Sequence, residues 1–289
     1  MAYTNDDLLE IIKFKGSVPE NNDQFSDQKL LNLATEVLLD TLLPVILRLR
    51  EEYYVFPLTQ AITANTAKYR VSPRFVGAML RDVQLVDGSQ LKSLPQIPVE
   101  EVNTTEAGNP SSFYMQGASL VLYPTPNANT SLQLTGYLKP SRLTEVTNCG
   151  KIATINTGTN QVTVDSLPTS FTTGAVVDFV KGSAGNEILD IEYTISNASG
   201  VTITFSSLPT GLAVGDYVTP FGFTPVPNIP EEFFSVLAEY AVQKVLKSMA
   251  YNDEASVAGE SASNLMQNIL QMMKPRVSGA PKKFKTRLL

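Results

Sequence analysis

Apolar positions in the first fifth of the chain recur at helical spacing. Leu30, Leu33, Ala34, Val37, Leu38, Thr41 and Val45 fall three or four residues apart, which predicts a helix capped by Ser26 and running toward Arg50. Pro44 is expected to kink or interrupt it, because proline lacks the amide donor and crowds the preceding turn. A shorter helix precedes it, with Asn5 as the candidate cap. The far side of the longer helix carries Leu31, Leu39, Leu42 and Leu43. That is more apolar surface than one core face uses, and a neighbouring subunit is expected to cover the remainder.

Beyond Tyr53 the period shortens. Tyr53 to Leu58, Ala67 to Val71, Met79 to Val86, Ser111 to Gln116, Ser119 to Tyr123 and Ser131 to Leu138 read as antiparallel strands, with a hairpin turning at Gly117. From Cys149 to Phe221 the composition shifts to Thr, Ser, Gly and Val, and a repeat appears 41 residues apart: VTVDSLPT from Val162 matches ITFSSLPT from Ile203, and GAVV from Gly174 matches GDYV from Gly215. Two copies that each expose one apolar face predict a pseudo-symmetric barrel or sandwich. After Pro230, Glu231 and Glu232 mark a helix start, and Phe233, Leu237, Tyr240, Ala241, Lys244 and Val245 carry the helix to about Met249. A last helix is expected from near Asp253 to Met273, with Val257, Leu265, Ile269 and Met272 on its apolar face and Pro275 ending it.

The expected fold class is therefore α+β: a helical bundle from both chain ends with an antiparallel β region, and an inserted all-β domain. The expected division is a body at residues 1–148 and 222–273, an insert at 149–221, and a C-terminal extension at 274–289.

Composition adds three constraints. With 43% hydrophobic and 17% charged residues the chain can bury a core, and a net charge of -6 gives no argument for sequence-directed DNA binding. The charge is uneven: Lys274, Arg276, Lys282, Lys283, Lys285 and Arg287 follow one another with no acidic residue between them. One cysteine, Cys149, forms no internal disulfide, and the acidic N-terminal stretch does not resemble an export signal. The apolar run from Val37 to Leu49 is broken by Asp40, Pro44 and Arg48 and reads as short of a membrane span, so a soluble intracellular product with no membrane partner is expected.

The chain contains no histidine, which removes the commonest general base, the usual nucleophile pairs and most metal sites. Cys149 reads as a small apolar residue at a domain junction. Gly150-Lys151 is followed by Ile152, so no phosphate loop is present, and no glycine triplet opens a helix. The acidic pairs Asp6-Asp7, Glu51-Glu52, Glu100-Glu101, Glu231-Glu232 and Asp253-Glu254 suit helix starts and loops better than catalysis. No catalytic residue, cofactor or metal is expected. The tail KKFKTRLL from Lys282 mixes cations with Phe284, Leu288 and Leu289, and can be a solvated end, an arm that orders on a partner, or a weak DNA contact.

Five segments together resemble the head-to-tail connector, or adaptor, proteins of short-tailed and related phages: REEYY from Arg50, LRDV from Leu80, GASLVLYPTP from Gly117, IPEE from Ile229 and PRVSGAP from Pro275. The resemblance implies a virion structural protein, assembled in the host cytoplasm, that forms a homo-oligomeric ring, a dodecamer. The ring would dock on the portal protein and link it to tail or nozzle proteins, with DNA passing through its channel unbound. It implies a portal-binding arm comprising Arg276, Lys282, Lys283, Phe284, Lys285, Arg287, Leu288 and Leu289. The runner-up is another neck or tail protein whose β-insert binds a fibre or a glycan; a carboxylate-dependent hydrolase comes third.

Overall fold

In the computed structural model, which describes residues 3–19, 25–88, 90–102, 107–182 and 187–273, the first helix α1 (Asn5–Lys15) is capped by Thr4 and not by Asn5. Thr4 and Asp7 form a reciprocal capping box: the Asp7 amide donates to the Thr4 hydroxyl, and the Asp7 carboxylate accepts from the Thr4 amide at 2.7 Å. Asn5 is thereby freed for a buried role. Helix α2 (Asp27–Val37) follows Ser26, whose side chain makes no capping bond, and leads through a five-residue π-helical stretch (Leu38–Leu42) into α3 (Leu43–Leu49). Pro44 sits in the first turn of α3. The π stretch widens the turn just ahead of the position where proline offers no amide, and the helical path continues to Leu49.

That continuous stretch, Asp27–Leu49, has a mean hydropathy of 1.8 over its most apolar window. By length and composition it could cross a membrane, contrary to the sequence reading. Half of that window is buried inside the protein, which is also how a core helix behaves. Much of the apolar surplus is covered by the chain itself. Leu30, Leu31, Leu38 and Leu42 are all fully buried and Leu43 is 9% exposed, while Leu33, Leu39, Val45, Leu47 and Leu49 are half-buried. Counting apolar positions overstated the exposed surface because it could not see what folds over them.

The chain forms two compact units, residues 39–142 and residues 1–38 with 143–289. The first holds strands β1 (Val55–Ile62), β2 (Lys68–Arg70), β3 (Phe75–Asp87), β4 (Gln90–Ser93), β5 (Ala107–Gly108), β6 (Ser112–Gln116), β7 (Ser119–Tyr123), β8 (Thr125–Pro126) and β9 (Thr130–Leu138). Four of them pair antiparallel in the order β1-β9-β3-β4, and β2-β7-β6 form a second sheet with Gly117 at φ +62 in its hairpin turn. Phe75, Val83, Leu85, Phe113, Leu120, Leu132 and Leu134 are among the residues of their common core. Strand β3 bulges between Phe75 and Leu80, with Gly77 and Ala78 at positive φ. Gly136 on β9 faces that bulge, and a Cβ there would stand 2.9 Å from the Met79 carbonyl, so the close approach requires glycine.

The second unit contains the short paired strands β10 (Arg142–Leu143) and β17 (Phe223–Thr224) and, between them in sequence, β11 (Gly150–Asn156), β12 (Gln161–Val164), β13 (Val176–Val180), β14 (Ile188–Ser199), β15 (Thr202–Phe205) and β16 (Tyr217–Pro220). These six close into a barrel in the order β11-β12-β15-β14-β13-β16. The repeat is visible in its register. Val162 lies opposite Ile203, and Asp178 opposite Thr219, so residues 41 apart face each other across two antiparallel pairs. A pseudo-twofold relation exchanging β11 with β14, β12 with β15 and β13 with β16 reproduces every neighbour in the barrel. Both hairpins even carry the same irregularity, between Ile152 and Thr154 and between Ile195 and Asn197.

Phe179, Phe205, Phe171, Ile152, Ile195 and Val218 are among the side chains filling the barrel, with the Phe179 ring 5.1 Å from Tyr193 and 5.2 Å from Phe205. Helices α4 (Phe234–Ser248) and α5 (Asn252–Met272) complete the unit. Glu231–Phe233 form a 3-10 turn ahead of α4, which packs against α1, α2 and α5. The apolar face of α5 differs from the expected one: Ala255, Ala258, Ala262, Met266 and Ile269 are buried, whereas Val257 is 68% and Met272 64% exposed. Small alanines let α5 approach α4 closely, and hydropathy alone gives them less weight than valine or methionine. Helix and strand contribute 33% and 36%, so the α+β class holds.

Candidate functional site

Polar side chains converge where the barrel joins the helices of the same unit. Asn5, fully buried, donates from Nδ2 to the carbonyls of Thr144 (2.7 Å) and Thr224 (2.8 Å), while its own amide donates to the Pro225 carbonyl. The Thr144 amide donates in turn to the Thr224 carbonyl. From α2, Thr35 accepts the Leu143 amide at 3.0 Å and donates to the Leu31 carbonyl, and Gln28 donates to the Leu143 carbonyl and accepts from the Thr144 hydroxyl. One helix start and one helix face thus clamp the two chain segments that lead into and out of the barrel. The bonds from Asn5, Thr35 and Gln28 give partners to backbone groups at Leu143, Thr144 and Thr224. In sequence, Asn5 stands where a cap is ordinary, so nothing distinguished it from one.

Two buried carboxylates do similar work within the barrel. Asp178 accepts from the Glu192 and Gly222 amides, and Asp216 from those of Gly182 and Ala213. Gly182 is held so close that an added Cβ would come within 2.0 Å of the Gly215 carbonyl. These aspartates are structural anchors of loops.

Cys149 is 2% exposed among Val146, Val180, Tyr217 and Val226, and burial pushes its thiol up to about 12. A thiol held neutral in this way is a poor nucleophile. Because its folded value lies above the ordinary 9.0, its contribution to stability is intact below pH 9 and is lost as pH rises from there through about 12. Native protein is expected to react with a thiol reagent at pH 8 only as fast as it unfolds, and denatured protein at once. Rapid stoichiometric labelling of native protein would contradict this burial.

The acidic pairs are spread out. Asp6-Asp7 and Asp253-Glu254 lie in first helical turns, and Glu100-Glu101 and Glu231-Glu232 in 3-10 turns. Glu52 forms an ion pair with Arg81 at 2.6 Å, and Glu51 accepts from the Tyr137 hydroxyl. Burial first, then Asp7 and Asp27, raise the Asp6 pKa. Among the described residues no group of three His, Cys, Asp or Glu could hold a metal ion. Of the barrel aromatics, Phe171, Phe179, Phe205 and Tyr217 are buried and Tyr193 is half-buried.

An open groove of about 480 Å³ runs between α4 and α5, lined by Tyr240, Gln243, Gly259, Glu260, Ser263 and Asn264, among others. The arm residues Arg276, Lys282, Lys283, Phe284, Lys285, Arg287, Leu288 and Leu289 all lie outside the described residues.

The chain belongs to the SU10 adaptor protein family, whose sequence profile matches residues 18–178, more than half of its length. The family is one of phage adaptors, which makes this chain a structural component of the virion and points away from catalysis. No curated protein matches it. The matched range takes in Arg50 to Tyr54, Leu80 to Val83 and Gly117 to Pro126, and stops before Ile229 to Glu232 and Pro275 to Pro281. It also runs through β11 and β12 into β13, so the family likeness extends into the barrel, where the sequence resemblance had placed only the rest of the chain.

Proposed function

We propose that this adaptor forms a homo-oligomeric ring, twelvefold, that docks on the portal protein and links it to tail or nozzle proteins, letting DNA pass through its channel unbound. The observation that carries the reading is the family match over residues 18–178. The division into a body at residues 1–148 and 222–273, with a helical bundle from both chain ends, and an insert at 149–221 belongs to the same proposal. Assembly takes place in the host cytoplasm. The excess of cations after Lys274, with Phe284, Leu288 and Leu289 among them, favours an arm that orders on an acidic groove of the portal. The helix Asp27–Leu49 lends the ring less support than its sequence pattern suggests, since Leu31, Leu42 and Leu43 are buried and Leu39 is half-buried.

The test is the solution mass of the protein alone and with portal rings, together with a chain ended after Pro275. Full-length protein is expected to saturate the portal, and the shortened chain to keep its far-UV circular dichroism and melting temperature but lose attachment. Unaltered attachment of the shortened chain overturns the arm, and a full-length chain that never joins portal rings overturns the connector.

A further inference from the structure

We propose that the outer face of strands β11, β12, β15 and β14 is an interaction surface, and that its occupant is the same face of a second copy of this chain. Charge placement is the first argument. Residues 149–221 contain six carboxylates and two cations, yet none falls within 152–164 or 193–215, the stretches that supply most of these four strands and the loop after β15. The charges sit instead on β13, on the ends of β11 and β14 that pair with β16 and β13, and in adjoining loops; Lys151 lies opposite Tyr217, and Asp190 opposite Phe179. A surface that faces water is ordinarily roughly a quarter to a third charged, whereas the centres of protein interfaces are depleted of charge.

Strand register orders what remains. Thr154 lies opposite Thr163, Thr163 opposite Thr202, and Thr202 opposite Ser199, which makes a row of hydroxyls across four strands. Two residues along each strand, Asn156, Gln161, Thr204 and Asn197 form a second row, mostly of amides. All eight are exposed or half-buried, while Val162 and Ile203 between the rows belong to the core. Val201, in the turn beside Thr202, adds an apolar side chain that is 44% exposed.

The same features select the occupant. Hydroxyls and side-chain amides both donate and accept, so a face made of them can satisfy an identical face, whereas it offers an ionic partner no counter-charge. The barrel's pseudo-twofold passes between Val162 and Ile203. A copy turned by half a rotation about it presents the same class of side chain at all eight places, as self-pairing requires. Two molecules of net charge -6 repel over most of their surfaces, and here they meet without placing like charges opposite one another. The rows span about 14 Å from β11 to β14 at roughly 4.8 Å per strand spacing and stand about 7 Å apart. That is well under the ~800 Å² that a standard interface takes from each partner. The contact is therefore weak between free molecules and fills where copies are concentrated. It does not depend on the proposed ring.

Thr163→Cys in the full-length chain puts a reactive thiol at the centre of the face, the native Cys149 being 2% exposed, and a short bis-maleimide then joins like positions. Covalent dimer is expected, and it is expected to increase with protein concentration and with salt, because screening weakens the repulsion between acidic copies. Glu187→Cys, exposed on the charged side, is the control and is expected to give little dimer. Adding Thr204→Lys or Thr204→Glu to Thr163→Cys is expected to reduce the dimer to the control level, and mixing those two proteins to restore it; circular dichroism checks the fold of each. Dimer no greater than the control's, dimer untouched by both charged substitutions, or dimer that falls as salt rises overturns the proposal. Protection of the thiol by dextran with no covalent dimer also overturns it, because it assigns the face to a glycan. Solution mass with portal rings is scored separately, so a failed ring and a failed face give different results.

Discussion

Replacing Phe179 with alanine is expected to cost about 3–5 kcal/mol, the range for emptying a fully buried aromatic site. Phe179 is 0% exposed and packs against Tyr193 and Phe205 inside the barrel, while its strand pairs on both sides with β14 and β16. A closed barrel resists collapse into the vacated volume because each strand is held by two neighbours. The cavity term therefore persists in addition to the lost transfer energy. Chemical denaturation followed by circular dichroism reads the effect as a fall in the midpoint. A loss under about 1 kcal/mol, well below that range, would show the interior to be loosely filled.

Asn5→Ala is expected to destabilise by roughly 2–3 kcal/mol, since it strands the buried Thr144 carbonyl and takes from the Thr224 carbonyl one of its two donors, leaving it the Thr144 amide. Thr4→Ala, one residue earlier, removes only an exposed cap and is expected to cost about 1 kcal/mol. The ordering discriminates between roles. If Asn5 were the cap, the two substitutions would change places in thermal unfolding. Equal losses would show that the Thr144 carbonyl finds water once the Asn5 amide is gone.

How much the amino-acid sequence revealed depended on whether a feature repeats. The barrel was legible because residues 41 apart in two copies also face each other across its strands, as Val162 and Ile203 do. The third strand pair was not, because the loop at 157–160 is two residues longer than its counterpart at 200–201. That difference moves the offset between β11 and β14 from 41 to 43, with Ile152 matching Ile195, and the alignment fades. Helix α5 shows the opposite failure. Its packing stripe is Ala255, Ala258 and Ala262, residues that propensity favours but hydropathy barely marks, so Val257 and Met272 drew attention instead. The surplus on α2 and α3 was miscounted for a related reason: periodicity names apolar positions and is blind to long-range cover. The clamp on the two segments that enter and leave the barrel was illegible because Asn5 is separated by 139 and 219 residues from the carbonyls it holds. The candidate arm was readable as charge, but its residues fall outside those described.

The strand circuit β11-β12-β15-β14-β13-β16 has no first or last member. A sheet with margins offers a row of unsatisfied amides and carbonyls to whatever chain lies alongside, and crowding makes that hazard worse. Closing the loop removes the hazard at its source. Whatever meets this barrel finds no open strand to pair with, and side chains alone decide what adheres to it.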